Sequence, residues 1–342
     1  MISNKIFKSE LSRKRWRVFR KNKAAVFSSV FLLVFLFATF ISPIIANSRP
    51  IVLKVNNQYF FPVFKDYTAD QFGITDTLDI DYRNMHLDAA KGELAYWPPV
   101  QWDPFESNSK VDSYPSKPSQ TNFFGTDDRG RDVFTRILYG FKYSIVYAVA
   151  VWFISLVIGT SLGGIMGFFG GWIDFIGQRI VEVMSTVPQF FLLIILVSIF
   201  TPSLFLLIII SCVFSWINIS YYVRGEFLKN RNKEFVEAAH SLGASNFSII
   251  FKHILPNSLT PIITFAPFTI AAHITGLTAL DYLGFGLPIP TPSWGELLSQ
   301  AHKNYTIAWW LAFYPSLALF TVLTLLSLIS QGVRDAMDPN MN

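Results

Sequence analysis

The chain has 342 residues, of which 51% are hydrophobic and 15% charged, with a mean hydropathy of +0.38. Soluble domains carry about 25% charged residues, so the composition argues against a soluble domain and for a membrane protein. The net charge of +5 does not point to nucleic acid, because the basic residues crowd into the first 23 positions beside an apolar block.

Lys5, Lys8, Arg13, Lys14, Arg15, Arg17, Arg20, Lys21 and Lys23 face a single acid, Glu10, ahead of the first apolar run. Positive flanks stay in the cytoplasm, which predicts a cytoplasmic N-terminal segment over residues 1–24. The uncharged run Ala24–Ser48 exceeds the ~7–15 apolar residues of a signal peptide, so residues 25–46 are expected to be an uncleaved membrane helix. Residues 47–141 follow, with ten Lys/Arg against thirteen Asp/Glu. Their polar and aromatic content, including Trp97-Pro98-Pro99, predicts a small irregular or β-containing extracytoplasmic cap rather than a mere connector.

Further uncharged blocks run over Tyr143–Ile173, Val183–Val223, His253–Leu280 and Asn304–Val333. A crossing helix needs about 20 apolar residues, and Thr201-Pro202-Ser203 divides the long third block. The expectation is an all-α polytopic membrane protein of six transmembrane helices: one helix, the cap, then a five-helix core over 142–333. Alternating crossings put Gly170–Glu182, 224–256 and the tail 334–342 in the cytoplasm, and 281–303 outside.

Within these spans, Gly163-Gly164-Ile165-Met166-Gly167 and Gly170-Gly171 read as close helix packing through small residues. Cys212, the lone cysteine, can form no intramolecular disulfide and reads as filler. Asn218 and His273 would be costly against lipid, so each is expected to face the bundle interior or a pathway. Structural hydrogen bonding is the first reading and pathway lining the second, since no carboxylate lies in a span to serve a proton relay.

Two polar segments stand out. In Gly125-Thr126-Asp127-Asp128-Arg129-Gly130-Arg131-Asp132, Asp132 is placed to cap a helix beginning at Val133. The acids lack the spacing of a calcium loop, and no metal site is expected. In the loop over 224–256, Glu237-Ala238-Ala239-His240-Ser241-Leu242-Gly243 and Phe251-Lys252-His253-Ile254-Leu255-Pro256-Asn257 read as two short helices. Gly243 takes the left-handed stop, Ser245 caps the second helix and Pro256 limits where it ends. An apolar stripe of Leu228, Phe235, Ala238, Ala239 and Leu242 suits either lipid headgroups or, given two adjacent alanines, a close-packed protein partner.

The second segment resembles the EAA loop of binding-protein-dependent ABC importer permeases through Glu237, Ala238, Ala239, Gly243, Leu255 and Pro256, with His253 where many members have an aliphatic residue. The first, through Gly125, Thr126, Asp127, Gly130, Arg131 and Asp132, resembles the dipeptide and oligopeptide branch. Leu280-Asp281-Tyr282-Leu283-Gly284-Phe285-Gly286, Pro292-Ser293-Trp294-Gly295-Glu296 and Arg334-Asp335-Ala336-Met337-Asp338-Pro339 extend the likeness to the end of the chain. The long cap with Tyr59-Phe60-Phe61-Pro62 resembles the Yej-type permeases of microcin C and peptide uptake.

The resemblance implies a bacterial inner-membrane permease subunit working by alternating access, with the loop docking an ATPase. Its implied partners are a second homologous permease, ATP-binding cassette ATPase subunits, an extracytoplasmic solute-binding protein, peptide substrate and lipid. No glycine precedes a lysine, so a phosphate-binding P-loop is absent; ATP and Mg are expected on the partner subunits, and this chain is expected to bind no cofactor and catalyse nothing. Nickel or another small solute remains an alternative cargo, and an ion-coupled secondary transporter an alternative class.

Overall fold

A computed structural model of the chain describes residues 10–72, 80–85, 87 and 92–338; Lys5, Lys8 and Pro339 lie outside the described residues. Helix α1 (Glu10–Lys21) carries the basic residues. It stops at Asn22, whose Oδ1 accepts a 3.0 Å bond from Ala25 N and caps α2 (Lys23–Phe40). Then come the short strands β1 (Val52–Val55), β2 (Gln58–Phe60) and β3 (Leu94–Tyr96). The long α3 (Val133–Phe169) follows, then α4 (Gly171–Ser185), α5 (Gln189–Ile199) and α6 (Leu204–Asn230). The chain ends through α7 (Glu234–Ser241), α8 (Thr260–Tyr282), α9 (Trp294–Lys303) and α10 (Trp309–Met337).

Among the described residues, α2, α3, α6, α8 and α10 are each long and apolar enough to cross a membrane, and the pair α4–α5 brings the number to six if it counts as one span. That pair departs from the straight third span expected over Val183–Phe200. The two helices are bent by 70° across Thr186-Val187-Pro188. Proline has no N–H for the preceding turn and disfavours helical backbone in the residue before it, a break that an uncharged apolar block conceals. The divide at Thr201–Ser203 is as expected: Ser203 Oγ accepts from Leu206 N at 3.1 Å and caps α6. The fifth span is shorter than its block, because His253–Leu259 belongs to the segment before α8.

Contacts divide the chain into two units. The first comprises Met1–Leu32, Ser144–Pro288 and Phe320–Asn342. Its central seam sets α3 against α6 at glycines spaced four apart. A Cβ on Gly159 would lie 2.7 Å from Trp216 O, on Gly163 2.5 Å from Ser220 O, and on Gly167 2.6 Å from Phe227 Cβ. The backbones are therefore closer than any side chain allows, as small-residue membrane packing requires. Cys212 is buried beside α3, its Sγ 3.9 Å from Val151 O.

The second unit comprises Leu33–Tyr143 and Ile289–Leu319. Its sheet has the order β2-β1-β3, both pairings antiparallel. Alternation along β1 buries Leu53 and Val55 with Tyr82, and Phe60, Phe72 and Trp97 pack around them. A strand turns alternate side chains to opposite faces, so Lys54, Tyr59, Leu94 and Tyr96 share the other.

Candidate functional site

The 224–256 loop folds as a hairpin on the end of α6. Helix α7 stops where Gly243 turns to φ +79°, with Ala244 N bonded to Ala239 O at 3.0 Å. Ser245 Oγ accepts from Ser248 N at 3.3 Å to start the return limb. That limb runs through Asn246–Ser248, a wider π-helical stretch at Ile249–Ile254, and a regular turn at Leu255–Ser258. Pro256 therefore does not end the second helix as expected. It takes a first-turn position after the π stretch, where its missing N–H goes unused.

The hairpin has its own apolar core. Val236 and Ala239 of α7 and Ile249 and Ile254 of the return limb are buried with Val223 and Phe227 of α6. Ala239 thus faces its own chain, which corrects the stripe read from the sequence. An eight-residue helix resting on α6 buries one i, i+3 pair, and that pair is Val236 and Ala239. Glu237, Ala238, Gly243 and Pro256 are exposed and Leu255 is half-buried. Leu242 of the expected stripe is the most exposed apolar group of the tip at 88%; sequence reasoning passed over Phe247, exposed at 70%, which lies against Phe251 with ring centroids 4.3 Å apart. The base is tied by Asn230 Nδ2 donating to Ser258 Oγ at 3.4 Å and by the Arg224–Asp174 ion pair, whose Nη2–Oδ2 distance is 2.6 Å.

Asn218 of α6 and His273 of α8, separate in sequence, line one cavity of about 710 Å³. Its walls are aromatic, among them Tyr147, Phe214, Tyr222 and Phe268, and among the described residues no Asp, Glu, Lys or Arg lines it. Gln189 at the start of α5 adds a second side-chain amide that the sequence reading did not single out; its signal was the adjoining Pro188. His273 Nε2 is buried without a hydrogen-bond partner among the described residues, so the structural bond expected of it is not made there. One wall is braced by Tyr147 Oη and Ser211 Oγ at 2.7 Å.

In the second unit, the octet at 125–132 and the Pro292–Glu296 segment interlock. Asp127, fully buried, accepts from the backbone N–H of Arg129 and Arg131 at 2.9 Å each and from Arg131 Nε at 2.7 Å. Arg131 Nη2 reaches Glu296 Oε1 at 2.9 Å, and Glu296 also pairs with buried Arg136. Asp132 caps α3 by accepting from Thr135 N at 2.8 Å. Thr126 Oγ1 accepts from Ser116 N at 2.8 Å, and its carbonyl accepts from Trp310 Nε1 at 3.0 Å.

Gly125 and Gly130 hold φ of +76° and +78°, which side chains resist. Burial pushes the Asp132 carboxyl up, opposed by bonds from Asn122 and Thr135. Burial also raises Asp128, with the neighbouring charge of Asp127 adding to it. Asp127 and Asp132 are thus turned to arginines, backbone donors and a helix cap, whereas Asp128 Oδ1 is buried without a hydrogen-bond partner among the described residues, 4.0 Å from Arg129 Nε.

Residues 159–342 match the family described as "Binding-protein-dependent transport system inner membrane component", and residues 11–68 match the "N-terminal TM domain of oligopeptide transport permease C". The chain is 38% identical to the inner membrane ABC transporter permease protein YejE of Escherichia coli, over 97% of this chain and 98% of that one. It is 35% identical to the peptidoglycan transport system permease protein YejE of Agrobacterium fabrum, over 97% and 93%. It is 38% identical to the dipeptide transport system permease protein DppC of Alkalihalophilus pseudofirmus, over 69% and 79%. With half the chain inside the family's profile and relatives aligned along nearly its whole length, this protein belongs to the inner-membrane permease components of binding-protein-dependent ABC transport systems.

Proposed function

We propose that the chain is one of two permease subunits of an importer for peptide-bearing solutes. Relatives are named for dipeptide and for peptidoglycan transport, and a peptide backbone is the chemistry those cargoes share. Both termini and the 224–256 hairpin lie in the cytoplasm, the second unit's sheet lies outside, and a solute-binding protein delivers cargo there. The chain itself is non-catalytic and binds no cofactor; separate ATPase subunits hold ATP and Mg²⁺.

The observation that carries this reading is the hairpin: a small unit with its own core and an exposed apolar tip of Leu242, Phe247 and Phe251. A tip seated in an ATPase groove passes on a conformational change only if the docked ATPase binds the two permease states with different affinity. A rigid core under the tip keeps that difference from dissipating. The test is reconstitution of the whole transporter in proteoliposomes. Uptake of a labelled dipeptide or tripeptide that needs both binding protein and ATP supports the reading; ATP-independent uptake, or uptake driven by an imposed ion gradient, overturns it.

A further inference from the structure

We propose that the permease itself grips its solute: the cavity bounded by α3, α5, α6 and α8 is a subsite for the uncharged amide backbone of a peptide, held by Asn218, Gln189 and His273 between aromatic walls. The inference rests on the peptide reading above and names what the pathway recognises. Four observations converge. The volume of about 710 Å³ falls within the ~300–1,000 Å³ of small-molecule sites. The walls are apolar and aromatic, with a few convergent polar groups, the usual make-up of such a site. The polar groups include two side-chain amides and an imidazole, each matched to a peptide N–H or C=O, while the hydroxyls of Ser215 and Thr269 in the same lining donate to carbonyls of their own helices. And His273 Nε2 is buried with no partner among the described residues, a state that costs free energy until something bonds to it.

The missing charges are as informative as the groups present. With no Asp, Glu, Lys or Arg among the described residues of the lining, these walls do not compensate a desolvated terminal ammonium or carboxylate, and an unpaired charge in such a place is strongly disfavoured. The cavity therefore takes the neutral interior of a peptide, leaving charged termini and charged side chains at its wet mouth. An amide grip does not depend on the residues that flank the bond. What it senses is whether the amide can still donate.

The experiment uses the complete transporter in proteoliposomes, with trialanine and trialanine N-methylated at one internal amide as probes. Half-saturation for both is measured with the wild-type chain, with Asn218→Leu/His273→Leu and with His273→Asn, each first shown to copurify with its ATPase subunits. One binding protein serves all three, so a change in the ratio of the two half-saturation values reports the permease. The wild-type chain is expected to disfavour the methylated probe by about tenfold, the equivalent of one lost hydrogen bond to a buried group. The double variant should bring the ratio within about twofold of that set by the binding protein alone, and His273→Asn, which restores a donor and an acceptor, should recover most of it.

An unchanged ratio in the double variant overturns the subsite and leaves the importer assignment standing. Failure of the wild-type complex to take up either probe removes the peptide reading and the subsite with it. A photoreactive side chain placed at Phe268 should capture labelled trialanine; capture of phospholipid, or of the second permease chain, in its place overturns the assignment of the cavity to solute.

Discussion

Arg131 and Glu296, 165 positions apart, are joined by a 2.9 Å ion pair while Glu296 also binds Arg136. The pair ties together two segments that the sequence presents as separate motifs. Both arginines are buried, with side chains 3% and 0% exposed. Removing one partner of such a pair costs about 3–5 kcal/mol, because the other charge stays buried. Glu296→Ala is therefore expected to lower stability by about that amount, and Glu296→Gln by less. Thermal unfolding of the detergent-solubilised chain measures the difference, and a change within about 0.5 kcal/mol for Glu296→Ala would show the network to be a passive surface feature.

Asp128 gives a pH signature. Its carboxyl sits above the usual range, chiefly by burial, with the charge of Asp127 adding to the shift. A carboxyl raised in the folded state is favoured while protonated, so its contribution is fully present below the unfolded value of 3.8. That contribution is lost as pH rises through the folded value. At neutral pH the ionised group is a cost, and Asp128→Asn should raise the melting temperature at pH 7.5 more than at pH 4. Equal shifts at the two pH values would contradict the burial argument.

The hairpin separates docking from folding. Leu242→Asp removes an exposed apolar group whose burial on a partner is worth about 1.5–3 kcal/mol, so copurification with the ATPase subunits should weaken by about ten- to a hundredfold at normal expression. Ala239→Asp instead puts a charge into the core of Val236, Ile249 and Ile254, and should reduce the amount of folded permease itself. If Ala239→Asp folds normally and only loses its ATPase, the inward orientation of Ala239 is wrong.

Helix packing supplies a contrast within one residue type. Gly163→Ala forces a methyl against Ser220 O and Cα, whereas a Cβ on Gly225 would meet nothing within 4 Å. The first change should cost about 1–3 kcal/mol through overpacking; the second should be neutral or slightly stabilising, as alanine is the better helix former. Melting temperatures of the two variants check the order.

Topology is open to thiol labelling, since the native Cys212 is buried. Ser107 and Ser241 are both exposed. A membrane-impermeant maleimide should reach Ser107→Cys in spheroplasts and Ser241→Cys only after lysis. The reverse pattern would invert the chain in the membrane.

Local signals were legible in the sequence. Asp132 and Ser245 cap helices, Thr201-Pro202-Ser203 divides two of them, and Gly243 takes the left-handed turn, because each effect acts within three or four residues. Pairing across long separations was not. Nothing adjacent to Arg131 announces Glu296, and the two motifs resembled family signatures without revealing that they touch. The inward face of α7 was misread because an eight-residue helix offers too few positions to decide between Ala238 and Ala239 by period alone. The bend at Pro188 was hidden for a different reason. Hydropathy registers composition, and an uncharged block stays uncharged whether its helix is straight or broken.

That bend changes what the membrane meets here. Helix α5 has 11 residues and so measures about 16 Å along its axis, roughly half of a ~30 Å hydrocarbon layer. Thr186, Val187 and Pro188 are exposed, and backbone that has left its helix cannot face acyl chains. Water or another subunit must meet it. Gln189, which follows that exposed backbone directly and also lines the cavity, thus stands where a helix break and the cavity wall adjoin.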